Sequence, residues 1–204
     1  MDALEHVVMW RRLELPGHDV CCHGRAGDGW RLTGNAIFAF DGRACHLGYA
    51  LEADAGWQTR SASVFGNVGS NLVDVYIDKA ADGSWCLNGV PHPQTAGCAD
   101  IDLGFTPATH LVALRRLALR IGAEADAPAA WLDFPALTLN RLEQRYRRLS
   151  RFEYHYAAAC AGYVAVLGVD DHGAVVRYPR LWEQERATLR AAVDPAVGVL
   201  QEAL

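Results

Sequence analysis

Hydrophobic and polar residues alternate along much of the first half of the chain. In the segment from 30 to 40, Trp30, Leu32 and Phe38 share one face of an extended chain, and Arg31 lies on the other. A period of two residues is the pattern of a half-buried β-strand. Clear or weaker forms of it predict strands at 30–40, 45–53, 57–65, 72–78 and 84–89. Asp-Gly dipeptides after the first and before the last of these strands favour tight turns, so an antiparallel meander is expected.

The second half of the chain continues the strand pattern and adds a few helix signals. Extended segments are predicted at 131–139, 151–156, 162–169 and 174–179, with a turn at 170–173. Thr106 followed by Pro107 is a typical helix start and predicts a short helix at 106–117, after which a strand resumes at 117–121. Residues 179–193 favour an amphipathic helix.

These elements predict a mainly β fold with one or two short helices. No linker, repeat or low-complexity segment divides the chain, so residues 1–204 are expected to form a single domain. So few helices cannot cover a sheet of this size, and the sheet must split into a sandwich or curl toward an open barrel. A curled sheet encloses a cavity with an apolar lining, whereas a sandwich has a filled core. The strand pattern alone leaves both alternatives open.

Composition and charge narrow the class of partner. The net charge of −5 argues against nucleic acid, because binding to phosphates requires a basic surface. The most apolar stretch, residues 156–169, is shorter than the roughly 20 residues of a membrane-spanning helix. The N-terminal residues do not resemble an export signal. We therefore expect a soluble, cytoplasmic protein.

One pair of acidic residues is a candidate for catalysis. Asp100 and Asp102 would lie on the same face of a strand, about 7 Å apart, and paired carboxylates can divide acid and base roles in the hydrolysis of a glycoside or lipid. The same alternation with Ile101 and Leu103 is also typical of a half-exposed strand. The chain contains neither a nucleophile elbow nor a glycine-rich nucleotide loop, so no cofactor is expected.

A cluster of basic residues is a candidate for binding a head group. Arg145 and Arg147 would share one face of an extended segment, with Tyr146 on the other. Guanidinium groups in this arrangement can hold an anionic or sugar head group through charge-assisted hydrogen bonds. Ion pairs with surface acids are the alternative role.

Cys21, Cys22 and His23 are residue types that bind metal ions. Structural zinc sites space paired ligands two to four residues apart and need a second pair, which this segment lacks. Adjacent cysteines on a strand also point to opposite faces. We therefore expect no metal site here, and we expect reduced cysteines.

Several longer stretches carry a family resemblance. The segments "WRRLELPGHD" (10–19), "DIDLGFTPATHLVALRRLAL" (100–119), "WLDFPALTL" (131–139), "QRYRRL" (144–149) and "YPRLW" (178–182) together resemble the bacterial family called putative glycolipid-binding proteins. The resemblance implies a curved, open antiparallel sheet that holds a lipid or glycolipid against its concave face. It does not supply catalytic residues.

The resulting hypothesis is a protein that binds a lipid or glycolipid-like molecule without catalysis. Apolar side chains of the curved sheet would supply affinity, and the basic cluster would orient the head group. The predicted ligand-binding residues are Phe38, Tyr49, Val75, Trp131, Arg145, Tyr146 and Arg147. A hydrolase that uses Asp100 or Asp102 and an interaction module without a ligand are the alternatives.

Overall fold

The computed structural model describes residues 3–158 and 162–185. Within these residues the chain forms 17 β-strands, one α-helix and one 3-10 turn. The helix, α1, spans His110–Leu117, and the 3-10 turn spans Pro93–Thr95. The strands are β1 (Ala3–Arg12), β2 (Gly17–Ala26), β3 (Gly29–Phe40), β4 (Arg43–Ala53), β5 (Thr59–Val68), β6 (Asn71–Lys79), β7 (Trp85–Leu87), β8 (Val90–His92), β9 (Asp100–Leu103), β10 (Glu124–Asp126), β11 (Ala129–Leu132), β12 (Leu139–Leu142), β13 (Gln144–Arg148), β14 (Glu153–Ala158), β15 (Tyr163–Val169), β16 (Val175–Tyr178) and β17 (Trp182–Gln184).

One large antiparallel sheet dominates the fold. Its 14 strands follow the order β10-β13-β14-β15-β16-β17-β1-β2-β3-β4-β5-β6-β7-β8. Strand β1 pairs with β17 on one side and with β2 on the other, which joins the two halves of the sheet. The two edge strands, β10 and β8, do not pair with each other in the described residues, so the curved sheet remains open. The predicted mainly β, curved antiparallel fold is confirmed.

A second, smaller sheet packs inside the first. It has the order β12-β11-β9, with β9 and β11 parallel. Ile101 of β9 and Leu132 of β11 belong to the same buried cluster as Leu47 of β4 and Val64 of β5. The concave face of strands β1–β7 is therefore filled by packed side chains, which corrects the expectation of a hollow interior at this end of the sheet.

Helix α1 connects two buried clusters. Leu111 and Val112 pack into the cluster inside β1–β7. Ala113 and Leu114 pack into a second cluster that contains Tyr146, Tyr154 and Tyr156 of β13 and β14. The helix therefore packs between the small sheet and the half of the large sheet formed by β13–β17.

The alternating pattern correctly predicts the faces of the central strands. In β3, Leu32 and Phe38 are buried whereas Arg31 is exposed. The predicted tight turn between β3 and β4 is present, and Asp41 and Gly42 have the positive φ angles of 50° and 69° that such a turn requires.

The predicted helix at 106–117 is confirmed only in its second part. Helix α1 begins at His110, because the Thr106 hydroxyl is committed to Asp19 and also accepts a hydrogen bond from the backbone N–H of Ala108. The strand predicted at 117–121 is wrong. Ala118 adopts a left-handed conformation with φ 44°, which ends the helix in a turn.

Two other segments also differ from the prediction. The extended segment at 131–139 is interrupted by a turn with a cis Phe134–Pro135 peptide bond between β11 and β12. The helix predicted at 179–193 is wrong for Trp182–Gln184, which forms β17 and pairs with β1. The remainder of that prediction, from 186 onward, lies outside the described residues.

Strands β1, β2, β8, β10 and β17 were not predicted from the sequence pattern. Strands β1 and β2 form ten-residue ribbons near the centre of the sheet. No helix in the described part of the chain is long and apolar enough to span a bilayer.

Candidate functional site

A cavity of about 230 Å³ lies between the small sheet, the start of α1 and strands β14–β17. Aromatic side chains form much of its wall, and a few polar side chains reach it from β9 and the segment that leads into α1. The aromatic residues are Trp131, Tyr156, Tyr163, Tyr178 and Trp182. The polar residues are Asp102, Thr106 and His110. A mainly aromatic wall with a few convergent polar groups is typical of small-molecule sites.

Strand periodicity and the pairing of neighbouring strands assemble the aromatic wall. In β14, Tyr154 and Tyr156 alternate with partly exposed residues and face inward, as the sequence pattern predicts. The ring of Tyr178 stands at 84° to that of Tyr163, with 5.2 Å between their centroids. His110 contacts both Tyr156 and Tyr178, each at a centroid distance of 4.9 Å. The rings therefore present both faces and edges to the cavity.

A chain of hydrogen bonds links Asp102 to His110. The Gln144 amide donates to the Asp102 carboxyl at 3.3 Å, and the Tyr146 hydroxyl donates to Gln144 at 2.8 Å. Because this commits the proton of Tyr146, its oxygen accepts a hydrogen bond from Nδ1–H of His110 at 2.6 Å. The chain fixes the tautomer of His110 and the position of the Asp102 carboxyl.

Burial shifts the protonation of both ends of this chain. Burial raises the pKa of Asp102 to about 7, opposed by the hydrogen bond from Gln144. Burial lowers the pKa of His110 to about 4. Near neutral pH the cavity therefore contains a neutral imidazole and a carboxyl group that holds its proton to a higher pH than an ordinary aspartate.

A second buried carboxyl supports the wall of the cavity from behind. Asp19 is fully buried and accepts hydrogen bonds from the hydroxyls of Tyr49, at 3.1 Å, and of Thr106. Burial raises the pKa of Asp19 to about 6, with the bond from Thr106 the main opposing effect. These bonds hold Thr106 at the cavity wall.

The two aspartates of the candidate catalytic pair, Asp100 and Asp102, have different surroundings. Asp100 is buried and forms a two-pronged ion pair with Arg116 of α1, with distances of 2.9 Å to Nε and 2.6 Å to Nη2. Asp102 contacts the cavity and has no arginine partner among the described residues. Asp100 therefore anchors α1 to β9, and Asp102 is the carboxyl available to a ligand.

Three of the predicted ligand-binding residues lie in the filled interior. Phe38 packs edge-on against Phe134 with 5.3 Å between ring centroids, and Val75 belongs to the same buried cluster. Tyr49 is bonded to Asp19. None of these three side chains lines the cavity described above.

Two of the predicted ligand-binding residues lie in or beside the cavity. Trp131 lines it, and Tyr146 positions His110 from behind the wall. Arg145 and Arg147 are exposed on the opposite face of β13 from Tyr146, and Arg145 pairs with Asp126 at 2.6 Å. Their predicted role at the head group stays a prediction.

The cysteine and histidine candidates occupy two faces of β2. Cys21 and His23 are buried, whereas Cys22 lies on the outer face. In the part of the chain that is described, no group of three or more potential ligands is placed to hold a metal ion.

Sequence reasoning missed most of the cavity wall. The sequence predicts extended chain at 151–156 and 162–169, but it assigns no ligand-binding role to Tyr156, Tyr163, Tyr178 or Trp182. The alternation in β14 and the density of tyrosines in the last third of the chain were the available signals. Neither signal shows that β17 pairs with β1 and brings Trp182 to the cavity.

Comparison with known proteins places this architecture in a family. No curated protein sequence matches the chain. The crystal structure of a DUF1089 family protein from Pseudomonas aeruginosa is similar, with a TM-score of 0.71 and 28% identity over 81% of this chain and 90% of that one. The model of the family described as "Putative glycolipid-binding" matches residues 7–184. The match spans nearly all of the described residues, and the chain belongs to this family.

Proposed function

We propose that the protein binds an amphipathic, glycolipid-like molecule and that the cavity between the small sheet and β14–β17 receives its sugar head group. The observation that carries this proposal is the aromatic wall beside Asp102, Thr106 and His110. A sugar ring has apolar C–H faces that pack on aromatic rings and hydroxyls that need hydrogen-bond partners. Tyrosine suits both needs, because it joins a large apolar ring to a polar hydroxyl.

The protonation of the polar groups supports the same ligand class. Because the pKa of Asp102 is raised, its protonated form can both donate to and accept from sugar hydroxyls, and the uncharged His110 adds no positive charge to the site. The acyl chain of the ligand would leave the cavity past Leu181 and Trp182, which form an apolar part of its lining.

The hydrolase alternative has weaker support. Glycoside hydrolysis generally uses two carboxyl groups about 5–10 Å apart, on either side of the scissile bond. Among the described residues that line the cavity, Asp102 is the single carboxylic acid, and Asp100 is held by Arg116. This arrangement favours binding over catalysis.

Titration calorimetry with dodecyl glucoside, below its micelle concentration, tests the proposal. Trp131→Leu removes an aromatic face from the cavity wall and should weaken binding about tenfold, since an aromatic contact contributes about 1 kcal/mol beyond its buried area. Tyr76→Leu is the matched control, because Tyr76 is half exposed on the outer face of β6.

Two results would contradict the proposal. One is a wild-type protein that does not bind dodecyl glucoside at millimolar concentration. The other is an equal loss of affinity in Trp131→Leu and Tyr76→Leu, which would mean that the detergent binds exposed surface rather than the cavity.

A further inference from the structure

Arg12 is a cation on the inner face of the sheet. It continues the inward-facing series of Val8 and Trp10 at the end of β1, and both of those residues are buried. The Arg12 guanidinium lies 4.8 Å from the ring centroid of Phe38 and 5.5 Å from that of Trp182. The group is thus held between two aromatic side chains.

The hydrogen-bonding capacity of this guanidinium is unused. Its Nη1 atom is buried and has no hydrogen-bond partner, and within residues 3–158 and 162–185 Arg12 forms no ion pair with a carboxylate. Burial lowers the pKa of Arg12, opposed by the charge of Glu14. Burying an unpaired cation costs free energy, and an unsatisfied buried donor in a folded protein calls for an explanation.

Two other arginines discussed above, Arg116 and Arg145, have carboxylate partners. Arg116 holds Asp100 with two hydrogen bonds, and Arg145 holds Asp126 in the same way. Arginine presents its donors in a planar fork that matches the oxygens of a carboxylate or phosphate. The guanidinium of Arg12, with its unpartnered Nη1 atom, therefore fits an oxyanion of a bound ligand.

Arg12 lies beside the route by which a ligand would leave the cavity. Trp182 contributes to the cavity wall and also contacts the Arg12 guanidinium. Arg12 also lines a neighbouring groove formed by residues 11–18. A molecule that extends from the cavity across Trp182 reaches Arg12 next.

We propose that Arg12 binds an oxyanion of the ligand, a phosphate or carboxylate next to the sugar, and that the protein therefore selects anionic over neutral amphipathic molecules. This inference rests on the proposed function, and it narrows the ligand class to anionic glycolipid-like molecules. The oxyanion would provide the hydrogen-bond partner that the buried Nη1 atom of Arg12 lacks.

Two lipids and one ion serve as probes in calorimetry at pH 7. Lysophosphatidylinositol carries a phosphate, dodecyl glucoside is neutral, and inorganic phosphate has no lipid chain. Arg12→Met keeps an unbranched apolar stem and removes the guanidinium, and Arg12→Lys keeps the charge and loses the planar fork. Arg60→Met, at the exposed pair with Asp28, is the matched control.

Arg12→Met should weaken the binding of lysophosphatidylinositol at least about tenfold, as expected for the loss of a charge-assisted contact. The affinity for dodecyl glucoside should change by less than about twofold. Arg12→Lys should fall between wild type and Arg12→Met. Arg60→Met should leave both affinities unchanged. In the absence of ligand, Arg12→Met should unfold at a higher urea concentration than wild type, because it removes an unpaired buried cation.

The failures of the two proposals are distinguishable. If both lipids bind the wild type and Arg12→Met changes their affinities equally or not at all, the role of Arg12 is overturned and the proposed function stands. If neither lipid binds, the proposed function fails and this inference fails with it. If inorganic phosphate binds through Arg12 as tightly as the lysophospholipid, the site recognises a free oxyanion and the lipid assignment is overturned.

Discussion

At the scale of single residues, surroundings rather than residue type determine chemistry. Asp100 and Asp102 are two residues apart on β9. Asp100 forms an ion pair with Arg116, whereas Asp102 accepts a hydrogen bond from the Gln144 amide and lines the cavity. The two carboxyl groups therefore differ in position: Asp100 holds α1 in place, and Asp102 lines the cavity.

The raised pKa of Asp102 predicts a specific dependence of stability on pH. Between about pH 4 and pH 7 the unfolded chain releases the Asp102 proton while the folded protein, with a pKa of about 7, keeps it. The contribution of Asp102 to the free energy of unfolding thus falls as pH rises through this range, by at most about 1.4 kcal/mol per pH unit. Asp102→Asn removes the effect, so its stability relative to wild type should increase from pH 4 to pH 7 in urea titrations.

Asp126→Asn is the control for this prediction. The hydrogen bond from Arg145 lowers the pKa of Asp126, so any effect of this exposed residue has the opposite sign. A stability difference between wild type and Asp102→Asn that stays constant from pH 4 to pH 8 would contradict the raised pKa.

At the scale of elements, two glycines of the central strands face opposite sides of the sheet. A Cβ atom at Gly34 of β3 would lie 2.2 Å from the Tyr49 hydroxyl oxygen, on the buried face. A Cβ atom at Gly48 of β4 would lie 2.3 Å from the ring of Phe65, on the outer face. Glycine lets an aromatic ring pack across the strand in both places.

The two glycines should respond differently to substitution by alanine. Tyr49 is fixed by Asp19 and cannot move away, so Gly34→Ala should lower the free energy of unfolding by about 2 kcal/mol, a typical cost of overpacking. The ring of Phe65 is 53% exposed and can swing into solvent, so Gly48→Ala should cost less than about 1 kcal/mol. Urea unfolding of both variants provides the measurement. Equal losses in the free energy of unfolding would show that the buried face around Tyr49 is no more rigid than the outer face around Phe65.

At the scale of the whole molecule, the two buried clusters belong to one continuous sheet. Tyr178 packs against both clusters, and α1 contributes residues to each. The pairing of β1 with β17 carries the sheet without a break across the boundary between them. Neither half can bury its apolar face independently of the other.

This continuity predicts a single unfolding transition. Tryptophan fluorescence reports mainly on the cluster inside β1–β7, where Trp10, Trp30, Trp57, Trp85 and Trp182 are buried. Near-ultraviolet circular dichroism of tyrosines reports on the other cluster, and far-ultraviolet circular dichroism reports on the sheet. All three signals should give the same urea midpoint. Separate midpoints would show two independently stable units and would contradict the single domain expected from the sequence.

The sequence by itself determined the class of fold and its local turns. Alternation with a period of two places Leu32 and Phe38 on one face of a strand, and Asp41-Gly42 forms a hairpin. Both depend on residues that are close together along the chain. The family resemblance, which spans several stretches of the chain, also required only the sequence.

Only the tertiary structure decided which faces meet and therefore where the site lies. Alternation shows which residues share a face, but it does not identify the neighbouring strand or what covers that face. The pairing of β17 with β1 brings Trp182 beside Arg12, and the packing of α1 brings Arg116 to Asp100. The same packing fills the face that carries Phe38, Tyr49 and Val75 and leaves the cavity on the other half of the sheet. Contacts between residues distant in sequence depend on burial across the whole chain, which no local pattern specifies.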